Sequence, residues 1–324
     1  MTTVFSSPRD WTLYREHIAR LEDFALPSQP AAFSPWLLPA YSDCFAAMGA
    51  HPINYAPATV WAWAETLQID VRFAGGLAWL RCNLQDGTHA LAPVGPWQEA
   101  DWKAMEPDLI ETGRFENVPE TLLRQWQTAL SCRIDFEESR DNWEYLYNAG
   151  ELAAYSGSAY RMQRNNAHAY VREHGAPDVR FLGPADIPAM MSLSRRWLDG
   201  GGERSEHEPE LTRNNEVDSM RRVLALWEQF SLVALGLWLN GELIAFDLGV
   251  RLDDGVMGVL YEKASPGVRG AFQVMVQAFA SAMGGEYPLL NRAEDMGMEG
   301  LRFSKTMYRP TGFEKMYAVS LGAC

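Results

Sequence analysis

Residues 232–283, LVALGLWLNGELIAFDLGVRLDDGVMGVLYEKASPGVRGAFQVMVQAFASAM, constrain the fold more than any other part of the chain. Apolar segments at Leu232–Leu239, Leu243–Arg251 and Val256–Tyr261 predict three strands, separated by Asn240-Gly241 and Asp253-Asp254-Gly255 at hairpin-turn positions. The loop SPGVRG then leads at once into an apolar helix over Ala271–Met283. An antiparallel meander followed by a helix is a mixed α and β pattern. Gln68–Phe73 alternates with period two, Gly75-Gly76 interrupts it, Leu77–Leu84 resumes it, and Asp86-Gly87 turns into His89–Val94. A helix over Pro119–Leu130, with Asn117 as its cap, and a short strand over Cys132–Phe136 follow.

A length of 324 residues implies two cores, because a single core seldom keeps growing at this length. The reading is an α+β chain divided into residues 1–150 and 151–324, with a helix over 156–175 bridging them. Ser156 or Ser158 is positioned to cap that helix, and Arg161, Arg164, His168 and Arg172 fall along one side at spacings of three and four. This stripe reads either as a solvated helix surface or as a contact for a polyanion. Helices are also expected over Ala185–Trp197 and Asn215–Phe230, joined by the polar loop DGGGERSEHEPE, long enough to act as a lid. No internal repeat is visible in the sequence.

Charge limits the partners. The formal net charge is −14; residues 1–150 carry 10 Lys/Arg against 20 Asp/Glu, and the rest 18 against 22. Nucleic-acid affinity comes largely from neutralising phosphates, so a polyanion would need a local basic surface in the second half. Cys44, Cys82, Cys132 and Cys324 form no framework, which predicts free thiols and a cytoplasmic address. The N-terminus lacks the pattern of a secretory signal. No stretch offers about 20 lipid-compatible residues, so no transmembrane segment is expected. The six histidines show no ligand spacing and predict no metal. No G-x-S-x-G elbow is present, and the cysteines lie in no reactive context, which argues against covalent hydrolase chemistry.

Two places could carry chemistry. In VLYEKASPGVRGAF a strand ends in Glu262-Lys263, and Gly267 and Gly270 precede a helix whose first N–H groups could hold an anion. Acetyltransferases of the GNAT fold hold a cofactor pyrophosphate at such a turn, and Val268-Arg269-Gly270-Ala271 keeps part of their pattern; a plain chain reversal fits equally. The second place, NRAEDMGMEGLRFSKTMYRP, gathers Arg292, Glu294, Asp295, Glu299, Arg302, Lys305 and Arg309. It reads as a reactive cluster or as a surface ion network, whose pairs would each contribute about 0–1 kcal/mol.

The segment DNWEYLYNAGELAAYSGSAYRMQRNNAHAY, with Tyr160, Arg164 and Asn165, resembles the opening of the catalytic domain of bacterial phosphatidylglycerol lysyltransferases and their soluble relatives. So do Glu216, Glu262-Lys263 before Gly270-Ala271-Phe272-Gln273, and Asn291-Arg292 with Asp295-x-Gly297-x-Glu299-Gly300-Leu301-Arg302-x-x-Lys305. The resemblance covers residues 140–317 and extends more weakly toward Pro93-Val94-Gly95. It implies two tandem GNAT-like domains, each a mostly antiparallel sheet flanked by helices, joined by a basic helix. In the lipid-modifying members the C-terminal domain moves an amino acid from aminoacyl-tRNA to a phosphatidylglycerol hydroxyl. On that basis the expected catalytic residues are Glu262, Asp295 and Lys305. The expected substrate contacts are Arg161, Arg164, Asn165, Lys263, Arg269, Gly270, Glu299 and Arg302. The donor would be aminoacyl-tRNA, with tRNA as partner, or else acyl-CoA; the acceptor a lipid or small molecule; the location cytoplasmic or at the membrane periphery. A non-catalytic ligand-binding protein is the third reading. It expects Glu262, Asp295 and Lys305 to be tied up internally with no pocket beside them, whereas the acyl-CoA reading expects a splay between the central strands and free N–H groups at Gly267–Gly270.

Overall fold

The computed structural model describes residues 26–84, 86–199 and 210–323; the loop expected as a lid falls mostly outside them, at 200–209. The meander at the start of the chain forms β2 (Ile69–Ala74), β3 (Leu77–Leu84) and β4 (Gly87–Leu91), after the short β1 (Ala31–Ala32). The helix Trp102–Thr112 then crosses to β5 (Arg114–Pro119), which runs parallel to β4 with Ala90 opposite Phe115. The second meander is built the same way. β9 (Val233–Leu239), β10 (Glu242–Asp253) and β11 (Val256–Ala264) are antiparallel, and the helix Ala271–Met283 returns the chain to β12 (Leu289–Asn291), parallel to β11. Asn240 and Gly241 turn the β9–β10 hairpin with φ of +52° and +82°, as a two-residue turn matched to strand twist requires.

The remaining strands are β6 (Arg133–Glu138), β7 (Glu144–Asn148), β8 (Asp178–Leu182), β13 (Gly312–Glu314) and β14 (Met316–Gly322). The sheet orders are β1-β2-β3-β4-β5-β14-β6 and β13-β7-β12-β11-β10-β9-β8. Each half is therefore a mostly antiparallel sheet with one parallel pair at its centre, the tandem GNAT-like architecture that the resemblance implies. The halves also trade a strand. β7 follows β6 in sequence but lies beside β12, and β14 follows β13 but lies beside β5. The sheets thus change at residues 139–143, and the last strand returns to the first sheet, whereas the sequence reading divided the chain once at 150.

One apolar cluster runs from the first sheet into the helices Ile187–Asp199 and Glu210–Leu224 and onto the outer face of β10. A second lies between the other face of the second sheet and the helix Ala271–Met283. Polar contacts join the halves. The Trp61 indole donates to Arg222 O at 3.1 Å, and the Arg222 guanidinium stacks on the Trp61 ring at 4.2 Å. Glu144, fully buried, accepts from Ile53 N (2.8 Å), Asn54 N (3.1 Å) and Asn291 Nδ2 (2.6 Å). Burial pushes the Glu144 carboxyl up to about 8, and these three donors pull the other way.

Several local expectations shift. The bridging helix spans Arg161–His174 and starts after Tyr160, with no side-chain cap from Ser156 or Ser158. The helix Glu120–Ala129 starts after Pro119, so Asn117 does not cap it. β11 extends past Tyr261, which places Glu262 and Lys263 inside the strand.

Candidate active site

β11 and β12 pair only through Val256–Gly258 opposite Leu289–Asn291. Beyond Gly258, β11 runs on to Ala264 while the other chain leaves the sheet, so the two central strands splay. Strand alternation then separates the Glu262-Lys263 pair onto opposite faces. Lys263 points toward the helix Glu210–Leu224, where Nζ meets both Glu216 oxygens at 2.8 Å. Glu262 faces the splay.

Arg292, just past the end of β12, crosses that splay. Its Nε and Nη2 lie 2.9 and 3.0 Å from the Glu262 oxygens, a two-pronged pair of the kind that fixes a guanidinium in direction as well as place. The side chain is 3% exposed, and its guanidinium carbon lies 4.7 Å from the centre of the Tyr308 ring, 5.1 Å from Tyr147 and 5.9 Å from Phe272. Burial disfavours its charge, but Glu262 outweighs that and raises the pKa above the usual arginine value. The third nitrogen, Nη1, is buried without a hydrogen-bond partner.

The other two expected catalytic residues hold the backbone around Arg292. Lys305 is buried in the helix Glu299–Met307 and donates to Arg292 O (2.6 Å) and Glu294 O (2.5 Å), with burial lowering its pKa to about 8. Asp295 accepts from Arg140 Nη1 (3.0 Å), Tyr145 OH (2.6 Å), Arg302 Nε and Nη2 (2.9 and 2.7 Å) and Gly297 N (3.0 Å). Burial alone would raise this carboxyl, but the bonds from Arg302, Tyr145 and Gly297 prevail and hold it at about 2. Asp295 and Lys305 therefore set the path of residues 292–297 and leave few lone pairs or protons for a substrate. Arg302 also meets Asp141 at 2.6 Å.

The expected substrate contacts divide. Arg161, Asn165, His168 and Arg172 are exposed along one side of their helix. Arg164 turns inward and donates to the carbonyls of Tyr155 and Gly157, because Tyr155 ends the helix Ala149–Ala154 in the left-handed region (φ +45°) and leaves carbonyls to be capped. Arg269 and Glu299 are exposed. Gly270 is buried against the bridging helix: a Cβ there would press into the Asn166 carbonyl, 2.9 Å from its carbon and 3.1 Å from Tyr170 Cβ. In the loop before it, Val268 N bonds to Ser265 O, and Ala271 N bonds to Val268 O. The turn that could have cradled a pyrophosphate is thus partly self-bonded and covered.

Arg292 was legible as one charge among seven and as part of the Asn291-Arg292 match, but no role was assigned to it. Asp247, absent from the sequence reading, lies opposite Glu262 across the β10–β11 ladder and is 1% exposed. Its signal was a lone acid in the apolar run LIAFDLGV. Two open cavities, of about 450 and 440 Å³, lie elsewhere: one by Phe45, His51, Phe230 and Asp253, the other by Cys44, Phe73 and Leu77. Neither is lined by the residues of the splay, where Asp247 and Arg292 are buried.

The pattern of the family described as "Phosphatidylglycerol lysyltransferase, C-terminal" matches residues 46–320, most of the chain. The chain belongs to this family. A conserved protein of unknown function from Bacteroides thetaiotaomicron has the same fold, with a TM-score of 0.80 at 21% identity over 92% of this chain and 100% of that one. L-PGS from Bacillus licheniformis has a TM-score of 0.61 at 13% identity, covering 90% and 93% of the two chains. An uncharacterised protein of Mycoplasmoides gallisepticum is 20% identical over 178 residues, 55% of this chain; the match spans 56% of that relative's length. Among the described residues no helix is long and apolar enough to cross a membrane.

Proposed function

We propose that the protein transfers an aminoacyl group from aminoacyl-tRNA to a lipid or small-molecule acceptor, with the reacting carbonyl at the splay between β11 and β12. One observation carries this reading: Arg292 is fixed by Glu262 through two nitrogens and boxed by aromatic rings, while its third nitrogen stays buried and unpartnered. A buried donor left unsatisfied costs about 1–3 kcal/mol, which a ligand oxygen placed against it would recover. A fixed cationic donor in a dry site is what an ester carbonyl needs when its oxygen becomes an oxyanion.

The acceptor's hydroxyl or amine attacks the carbonyl carbon. The new bond forms as the ester bond to the tRNA ribose breaks, and the acceptor's proton passes to the departing ribose oxygen. Arg292 Nη1 meets the oxyanion between these events, Glu262 keeps Arg292 aimed, and Lys305 and Asp295 hold the loop that carries it. Because Arg292 is buried, the donor reaches it only when residues 292–298 move away from β11. The exposed stripe of Arg161, Asn165, His168 and Arg172 is the local surface for tRNA phosphates on an acidic protein.

The acyl-CoA reading is less well supported, since Arg292 bridges the splay and Gly270 is covered by the bridging helix. The non-catalytic reading draws on the engaged Asp295 and Lys305 and on the closed site, but it leaves the free Arg292 nitrogen without a purpose. The test is to incubate purified protein with a mixed pool of radiolabelled aminoacyl-tRNAs and a total lipid and metabolite extract, with labelled acetyl-CoA in parallel. Extract-dependent loss of tRNA-bound label is expected, falling about 10²–10³-fold in Arg292→Lys with its thermal melt checked. Label moving only from acetyl-CoA, or wild-type rates in Arg292→Lys, would refute the reading.

A further inference from the structure

β10 is apolar along its buried face except at Asp247, whose Cα pairs with Glu262 on β11 and Leu235 on β9. Asp247 thus lies in the middle of the sheet, on the face that holds Ala245 and packs under the helix Ala271–Met283. The charged or titratable groups acting on it are Glu262, Arg292 and Tyr155. None of them is its partner: Arg292 is committed to Glu262, and the Tyr155 hydroxyl donates to Gln273 O at 3.0 Å. Asp247 Oδ1 has no hydrogen bond. Burial and the neighbouring Glu262 push its carboxyl well above the ordinary range. An unmatched acid at such a place weakens the sheet, where an apolar residue of similar size would strengthen it.

Glu262 thus has a residue with an unpartnered buried atom on either side: Asp247, opposite it on the β10–β11 ladder, with the acceptor Oδ1, and Arg292, bound to it, with the donor Nη1; the Tyr308 hydroxyl, on the ring packed against Arg292, is a third such atom. Glu262 and Arg292 neutralise each other, so Asp247 has no cation committed to it, and a ligand that brings a positive charge would let its carboxyl ionise and pair. A group with a protonated amine one carbon from a carbonyl presents the complementary pair, an N–H donor beside an oxygen acceptor.

We propose that Asp247 is the subsite for the free α-amino group of the acyl unit, beside the Arg292 nitrogen that meets its carbonyl, so that the site selects aminoacyl groups over acyl groups lacking an amine. This deepens the reading of the splay as the transfer site and rests on it. Asp247 acts as a binding and selectivity residue.

The experiment is calorimetric titration of the full chain and of Asp247→Asn with alaninamide and with propionamide, which lacks only the amine. Asp247→Asn removes a buried acid, so its melting temperature should equal or exceed that of the wild type. Wild type is expected to bind alaninamide at least 10-fold more tightly than propionamide, and Asp247→Asn to lose that preference. Equal binding of the two amides by the wild type, or an unchanged preference in Asp247→Asn, would overturn the proposal. A second arm separates this from the transfer reading. Discharge of an N-acetylated aminoacyl-tRNA pool as fast as the free pool overturns the amine subsite and leaves aminoacyl transfer standing. Absence of all discharge, with the alaninamide preference present and lost in Asp247→Asn, keeps the subsite and sinks the transfer reading.

Discussion

Replacing Gly270 by alanine tests how the bridging helix is docked on the loop before the helix Ala271–Met283. Gly270 has φ +83°, and its missing Cβ leaves room for the backbone of Asn166 in the helix Arg161–His174. A Cβ in the left-handed region costs about 1–2 kcal/mol. Pressing it against a helical carbonyl, which cannot swing aside as a side-chain tip can, adds about 1–3 kcal/mol. The total, about 2–5 kcal/mol, should lower Tm by about 3–7 °C, since unfolding 324 residues carries an entropy of about 0.7 kcal/mol/K. Gly267→Ala is the matched control, because Gly267 lies three residues away in the same loop with open space around its Cβ position and no positive φ. Thermal melts followed by circular dichroism and calorimetry would compare the three proteins. Should Gly270→Ala melt within about 1 °C of the wild type, less than the roughly 1.5 °C that even 1 kcal/mol produces, the close packing of helix on loop would be refuted.

Two further outcomes follow from the buried acids. Asp295, depressed to about 2, adds stability that is fully present above its unfolded pKa near 3.9 and is lost as pH falls through about 2. Acid unfolding curves should show Asp295→Asn with a weaker dependence on pH in that window, and identical slopes would contradict the five-donor geometry. Glu144→Gln places an amide against the N–H groups of Ile53 and Asn54 and should cost about 1–3 kcal/mol in urea titrations. A neutral result would mean that the carboxylate does not latch the halves together.

How much could be read in advance depended on the range of the forces involved. The meanders and the helix Ala271–Met283 were legible because alternation, Asn240-Gly241 and an apolar run are local signals. The end of β11 was misjudged because Glu262 and Lys263 look like a polar terminus, although period two carries one to each face and both find partners of opposite charge. Arg164 belonged to the basic stripe by spacing, yet the left-handed Tyr155 exposes carbonyls that draw it inward. Asp295 and Lys305 were picked out as charged residues, but their contacts with Tyr145 and with the carbonyls of Arg292 and Glu294 depend on how distant strands meet. No local rule predicts that Arg292 would keep one nitrogen free. The trade of β7 and β14 left no trace in sequence, because each strand looks the same whichever sheet it joins.

That trade bears on how the chain is made. A ribosome delivers residues 114–138 long before Met316, yet β5 and β6 meet only through β14, with Val319 facing Phe115 on one side and Phe136 on the other. The first sheet must therefore wait, open between β5 and β6, until nearly the whole of the second half has been synthesised, with two unpaired edges exposed during that interval. The halves look like modules in space, but the first sheet is completed only when β14 arrives between β5 and β6. Cutting them apart would leave two incomplete sheets.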